Sequence, residues 1–317
     1  MKPKERFIKA LERKPITGHV PTFELVFYLT MEKFNKVHSL HRRYDQWTQM
    51  SDNEKEIIRR DVAESFVQVA KEYGHSAIFV HPFMEELEEL ERLIDLIKEL
   101  SDGDYFLMMH GDATYDIPNG DDMVNFSYRL VDEKEGMLKY AGEMVDRALK
   151  KAELLAKKDL INGFALCSDY CFNSGPFLSP NQFSEFIAPF LEKLIKGYRD
   201  MGFYTIKHTD GNIMPIIDQL VQAKPDALHS LDPQAGVDIA EVKRLYGDKV
   251  CLIGNVNCGL IQTGTEEEVI ESAMYALENG MPGYGYIFST SNCVYSGMPL
   301  ERYEIINKVW KENGIYK

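Results

Sequence analysis

Short apolar runs rich in β-branched and aromatic residues recur along this chain, and an amphipathic helical stretch separates each from the next. The runs are 20–26 (VPTFELV), 76–80 (SAIFV), 105–111 (YFLMMHG), 164–170 (FALCSDY), 203–211 (FYTIKHTDG), 227–233 (ALHSLDP), 250–256 (VCLIGNV) and 285–292 (GYIFSTSN). Helical periodicity covers 54–73, 85–100, 136–157, 180–199, 213–223, 238–246, 266–279 and 299–311. Strands that alternate with helices must pair in parallel, because each helix carries the chain back to the sheet edge where it started. Eight such units close into a (β/α)₈ TIM barrel, here preceded by an extra N-terminal helix within MKPKERFIKALERKP. A doubly wound open sheet is the alternative that the same alternation allows.

No repeat, low-complexity tract or linker divides the 317 residues, so 1–317 reads as one domain. Apolar residues make up 44% of the chain, enough for a barrel core. The net charge of −14 argues against nucleic acid or an anionic membrane as partner, since both need a basic footprint. No apolar run is long enough to span a bilayer, and the first residues lack the apolar centre of a signal peptide. Five cysteines without a CxxC pair suit a reduced, cytoplasmic protein. The polar segment 112–125 (DATYDIPNGDDMVN) reads as a loop after the third strand, an entrance wall or lid. The region between the first two strands, rich in aromatic and charged residues (Tyr28, Phe34, His38, His41, Tyr44, Trp47), reads as a cap over one end of the barrel.

A TIM barrel does its chemistry at the C-terminal ends of its strands. Those ends carry Glu24, His81, His110 with Asp112, Asp169 with Tyr170, His208 with Asp210, His229 with Asp232, Asn255 with Asn257, and Asn292 with Cys293. So many titratable groups at one rim favour an enzyme over a scaffold or a ligand-binding barrel. His110 and His229 read as hydrogen-bonded structural histidines. Cys167, Cys171, Cys251 and Cys258 read as small buried hydrophobes. Asn255 and Asn257 are candidates for cofactor binding, with the satisfaction of turn backbone groups as the other reading. His208 and Asp210 stand two apart on a strand, so both side chains leave the same face. With the distant Cys293 they offer nitrogen, oxygen and sulfur to a tetrahedral zinc with one open position.

From these residues outward, the sequence resembles the uroporphyrinogen decarboxylase superfamily over nearly its whole length. The resemblance runs from MKPKERFIKALERKPITGHVPTFEL through FALCSDYCFNSGPFLSPNQFSEF and GFYTIKHTDGNIMPIIDQL to GDKVCLIGNVNCGLIQTGTEEEV and GYIFSTSNCVYSGMPLERYEIINKVW. It implies a (β/α)₈ barrel. True uroporphyrinogen decarboxylases hold a polycarboxylated tetrapyrrole through arginines of an N-terminal RQAGRY motif. This chain reads TFELVFYLTMEKF there, and its acidity suits eight substrate carboxylates poorly.

The resemblance to the corrinoid-dependent, methylcobamide:coenzyme M-like methyltransferases implies a catalytic zinc held by a His-x-Cys pair and a later cysteine. His208 and Cys293 match two of those ligands, and Asp210 stands where the first cysteine would be. A carboxylate remains a competent zinc ligand. The implied activity is methyl transfer between a small substrate and a separate corrinoid (cobalamin) protein, by a chain that could form a homodimer. Glu24 would add an oxygen near the metal, and Asp169, His81 and Tyr170 would orient ligands or move protons. The second reading is a metal-free decarboxylase of the same superfamily, with Asp169 and His208 as its polar dyad.

Overall fold

The computed structural model describes residues 1–84 and 86–316. In chain order the strands are β1 (Gly18–His19), β2 (Ala77–Phe79), β3 (Phe106–His110), β4 (Gly163–Leu166), β5 (Cys171–Phe172), β6 (Gly175–Pro176), β7 (Tyr204–His208), β8 (Ala227–His229), β9 (Cys251–Val256), β10 (Tyr286–Thr290) and β11 (Ile315–Tyr316). Seven of them form one parallel sheet in the order β10-β9-β8-β7-β4-β3-β2. Two small antiparallel pairs, β1–β11 and β5–β6, lie outside it.

The opening run, 20–26, is not a regular strand, although it takes the eighth strand's place. Pro21 has no N–H to give a ladder. Its carbonyl accepts from Phe288 N at 2.9 Å on the β10 side, and the Thr22 carbonyl accepts from Ser76 N at 2.6 Å on the β2 side. Thr22 bridges Phe288 and Phe27 bridges Val294, both in parallel. The segment therefore joins the two edges of the sheet and closes a TIM-barrel-like ring.

Two apolar clusters follow from the alternation of side chains along each strand. Phe79, Phe106, Met108, Ala165, Ile206, Ala227, Ile253 and Ile287 fill the inside of the barrel. Ile78, Leu107, Phe164, Leu166, Leu228, Leu252 and Phe288 face the helices. The N-terminal helix Pro3–Leu11 plugs the end opposite the expected active site: Phe7 lies 4.8 Å from Phe106 and 5.5 Å from Phe23, ring to ring.

Most predicted helices form, and some open on capping boxes. Ser51 accepts from Glu54 N and opens Asp52–Tyr73, and Thr265 with Glu268 does the same for Glu266–Gly280. The helix expected over 85–100 is Leu87–Ser101, and Glu85 itself lies outside the described residues. The one expected over 180–199 is two, Pro180–Phe186 and Ala188–Asp200, because Pro189 cannot donate to the turn before it. The stretch 213–223 begins as a 3₁₀ turn at Met214–Ile216, around Pro215, before the α-helix Ile217–Gln222. Among the described residues three further α-helices lie outside the periodic stretches: Thr30–Phe34 follows the opening segment, Met123–Asp132 starts inside the expected loop 112–125, and Cys258–Thr263 follows β9 directly. Among the described residues no helix is long and apolar enough to cross a membrane.

Candidate active site

Inward-facing parity along β7 runs Ile206, His208, and then Asp210 just past the strand end, as the two-residue spacing predicts. Asp169 comes from the loop after β4, the strand paired with β7. One ligand atom from each of Asp169, His208 and Asp210 lies within 4.8 Å of the other two.

Hydrogen bonds hold each carboxylate in place. Asp169 Oδ1 accepts from Asp210 N at 3.0 Å, and the Asp169 backbone N–H donates to Asp116 Oδ1 at 2.7 Å. Ser230 Oγ donates to Asp210 Oδ1 at 2.8 Å, and the Asn292 amide donates to the other oxygen. His208 Nε2 stands 3.7 Å from Asp210 Oδ1, and its Nδ1 lies 2.7 Å from His229 Nδ1. Burial pushes His208 well below the usual imidazole range. Burial, with the charge of Asp169, raises Asp210 to about 7.

Beneath this trio, on the outward face of β7, lies a buried ion pair. Lys207 Nζ donates to Asp112 Oδ2 at 2.8 Å, to Ser168 O at 2.8 Å and to Leu166 O at 3.2 Å. Asp112 also accepts from Ser168 N, Thr114 N and Thr114 Oγ1. Segment 112–125 is thereby pinned against the end of β4 through Asp112 and Asp116, as a wall of the mouth.

The other expected site residues scatter. Cys293 packs on the barrel-interior cluster, but its sulfur does not join the three-donor group. The expected sulfur ligand is thus replaced in that group by Asp169. The chain after β10 is drawn toward the opening segment: Val294 N donates to Val26 O at 2.9 Å, and Tyr28 N to Val294 O at 2.8 Å. That path leaves Asn292, rather than Cys293, in contact with Asp210. Burial raises the Cys293 thiol to about 12, with Cys258 and Glu24 adding to the effect.

Tyr170 turns away from the mouth. Its ring packs 5.1 Å from Phe183, its hydroxyl pairs with Thr114 Oγ1 at 2.6 Å, and Lys207 Nζ lies over it at 4.0 Å. His81 Nε2 sits 3.1 Å from Leu25 O and staples the opening segment to the end of β2. Both asparagines hydrogen-bond backbone groups: Asn255 Nδ2 donates to Leu231 O at 2.8 Å, and Asn257 Oδ1 caps Cys258–Thr263.

Glu24 is enclosed between the opening segment and β10, where it accepts from Thr290 Oγ1 at 2.5 Å and Ser289 Oγ at 3.2 Å. Glu24 and His81 also line a cavity of about 40 Å³, together with His38, His75, Thr30 and Ser65. Burial outweighs the donated hydrogen bonds and raises the Glu24 carboxyl to about 8. The folded protein therefore binds this proton more tightly than the unfolded chain does. Stability from Glu24 is present below the ordinary carboxyl pKa and is lost as pH rises toward 8. Thermal unfolding of wild type and Glu24→Gln should diverge across that window. The wild type should lose up to about 1.4 kcal/mol per pH unit relative to the amide. Parallel pH profiles would show that the proton is not held.

Two contributors lie beyond the sequence pattern. His229 reads from sequence as a structural histidine, and nothing local singles out Lys207. The parity that carries His208 inward marks Lys207 as outward, but only the pairing with β4 and β3 reveals its partners.

A family model described as Uroporphyrinogen decarboxylase (URO-D) matches residues 164–312, which contain all three donors of the trio. Residues 164–312 thus resemble the uroporphyrinogen decarboxylase family. It is 28% identical over 125 residues to a uroporphyrinogen decarboxylase of Pseudoalteromonas translucida, a match that covers 36% of this chain and 32% of that protein. It is 26% identical over 137 residues to that of Photobacterium profundum, covering 40% and 36%. The chain thus matches about a third of the length of these curated relatives. A solved structure described as a methyltransferase from Methanosarcina mazei superposes with a TM-score of 0.70 at 16% identity, over 98% of this chain and 99% of that one. That likeness establishes the fold.

Proposed function

We propose that this chain is a zinc-dependent methyltransferase of the uroporphyrinogen decarboxylase superfamily that moves a methyl group between a small substrate and a separate corrinoid protein. The observation that carries the reading is the converged trio of Asp169, His208 and Asp210 at the barrel mouth. Two carboxylates converge with an imidazole there, and an O,O,N donor set suits zinc with one position left for substrate. The methyltransferase structure from Methanosarcina mazei, alike over nearly its full length, agrees with this reading.

Zinc bound here would supply Lewis acidity, which makes a thiol a thiolate nucleophile or an ether oxygen a better leaving group. The chain's own residues do the rest. Ser230 and Asn292 each hold one oxygen of Asp210, so both are turned in fixed directions. Asp116 fixes the backbone of Asp169, and Lys207 clamps the loop behind it. The corrinoid partner would dock over the mouth, against the strand-end loops that carry Asp169 and Asp210.

The carboxylates around the trio weigh against the decarboxylase reading for a polyanionic substrate. Asp169 acts on both Asp116 and Asp210, and Asp232 acts on Asp210 as well, whereas the charge of Asp112 is matched by Lys207. Such a pocket repels a polycarboxylate. Still, the curated relatives are decarboxylases by name, so the test must separate the two. Zinc-loaded protein should methylate cob(I)alamin, or demethylate methylcobalamin, with some member of a panel of methoxylated aromatics, methylamines, methanol and thiols. The cobalt spectrum reports the transfer. An unchanged spectrum across the panel, with carbon dioxide released from a carboxylated substrate, would decide for the decarboxylase.

A further inference from the structure

The two histidines at adjacent strand ends, His208 of β7 and His229 of β8, lie directly opposite each other in register. Their Nδ1 atoms are 2.7 Å apart, so one must donate and the other accept. Which does so is decided at the far side of the second ring. His229 Nε2 lies 3.2 Å from the Thr290 carbonyl oxygen, a group with no proton to give. It also lies 3.5 Å from Ser289 Oγ, a hydroxyl that can accept as well as donate. A bare Nε2 would set its lone pair against those of the closer Thr290 carbonyl, so that nitrogen carries the hydrogen.

A doubly protonated His229 would place a cation in a site 1% exposed, whose bonding partners are a carbonyl, a hydroxyl and another imidazole. An unpaired charge there is far costlier than a neutral ring. His229 is therefore the neutral Nε2–H tautomer, and its Nδ1 accepts. His208 must donate from Nδ1, and at 3.7 Å from Asp210 Oδ1 its Nε2 makes no hydrogen bond that would hold a second proton, so the neutral ring keeps a lone pair on the side of Asp210 and Asp169.

We propose that His229 is a positioning residue that locks His208 in the Nδ1–H tautomer and so presents Nε2 to whatever the two aspartates surround. The tautomer follows from the hydrogen bonds alone, whereas its use in holding a metal rests on the function proposed above. An imidazole whose second nitrogen is fixed by a neighbour is both oriented and made a better donor. Neither histidine needs to titrate for this to operate.

Nitrogen-15 NMR of metal-free protein labelled at histidine distinguishes the two neutral tautomers by their ring couplings. The wild type should show His208 as Nδ1–H and His229 as Nε2–H. His229→Gln should preserve the His208 tautomer, because its amide can donate to Thr290 O and accept from His208. His229→Leu removes the acceptor and should release His208 into a mixture of tautomers. Zinc binding should weaken about 10–100-fold in the leucine variant and only a few-fold in the glutamine one. If His208 carries its proton on Nε2 in the wild type, or keeps its tautomer and zinc affinity in His229→Leu, the proposal is overturned. A wild type that shows the expected tautomers and binds no zinc would support this proposal and sink the metal reading instead.

Discussion

Lys207→Met should destabilise the protein by about 3–5 kcal/mol, read as a lower midpoint in urea unfolding. Both side chains of the Lys207–Asp112 pair are wholly buried, and Asp112 would be left as an unpaired charge in the core. Burial alone would raise the Asp112 carboxyl, but the adjacent ammonium outweighs it and holds the group at about 2. That stabilisation is present above the ordinary carboxyl pKa and is lost as pH falls toward 2. The large cost comes from stranding one partner, since a buried pair as a whole is often near neutral against apolar residues. The double variant Lys207→Met/Asp112→Leu should therefore recover part of the loss, even though Ser168 and Thr114 lose the acceptor they now share. A single variant as stable as wild type would mean that water reaches Asp112 freely.

The second large effect concerns zinc. His208→Ala removes the nitrogen donor of the cluster and should abolish stoichiometric zinc, measured by metal analysis after dialysis. Asp169→Ala should weaken binding by at least about the 10–100-fold typical of residues that merely support a ligand. Cys293→Ala should change it only a few-fold, because the sulfur stands outside the three-donor group. Asp210→Cys should still bind zinc, whereas Asp210→Ala should not bind it tightly. The comparison of Asp169→Ala with Cys293→Ala is decisive. Loss of zinc in the cysteine variant with retention in the aspartate one would restore the sulfur ligand that the sequence suggests.

These two experiments fall on either side of what is legible in the sequence. The alternation of strand and helix, the N-terminal helix, the capping residues Ser51 and Thr265, and the shared face of His208 and Asp210 all depend on patterns within a few residues. Local periods of 2 and 3.6 carry that information, so it can be read before any strand is paired. Proline placement is also local. It breaks the helix predicted over 180–199 and denies the opening segment a regular ladder.

What only the tertiary structure decided is which strand ends meet. Register across β7 and β8 sets His229 against His208, although nothing within either run connects them. Lys207 finds Asp112, 95 residues earlier, because β3, β4 and β7 are neighbours. Asp169 entered the donor group through the β4–β7 pairing, while Cys293 was held aside by bonds from Val294 to Val26 and Tyr28. Sequence alone determined the rim of titratable side chains. Packing of the barrel wall, which rotates each strand end by its contacts with both neighbours, selected three of them to converge.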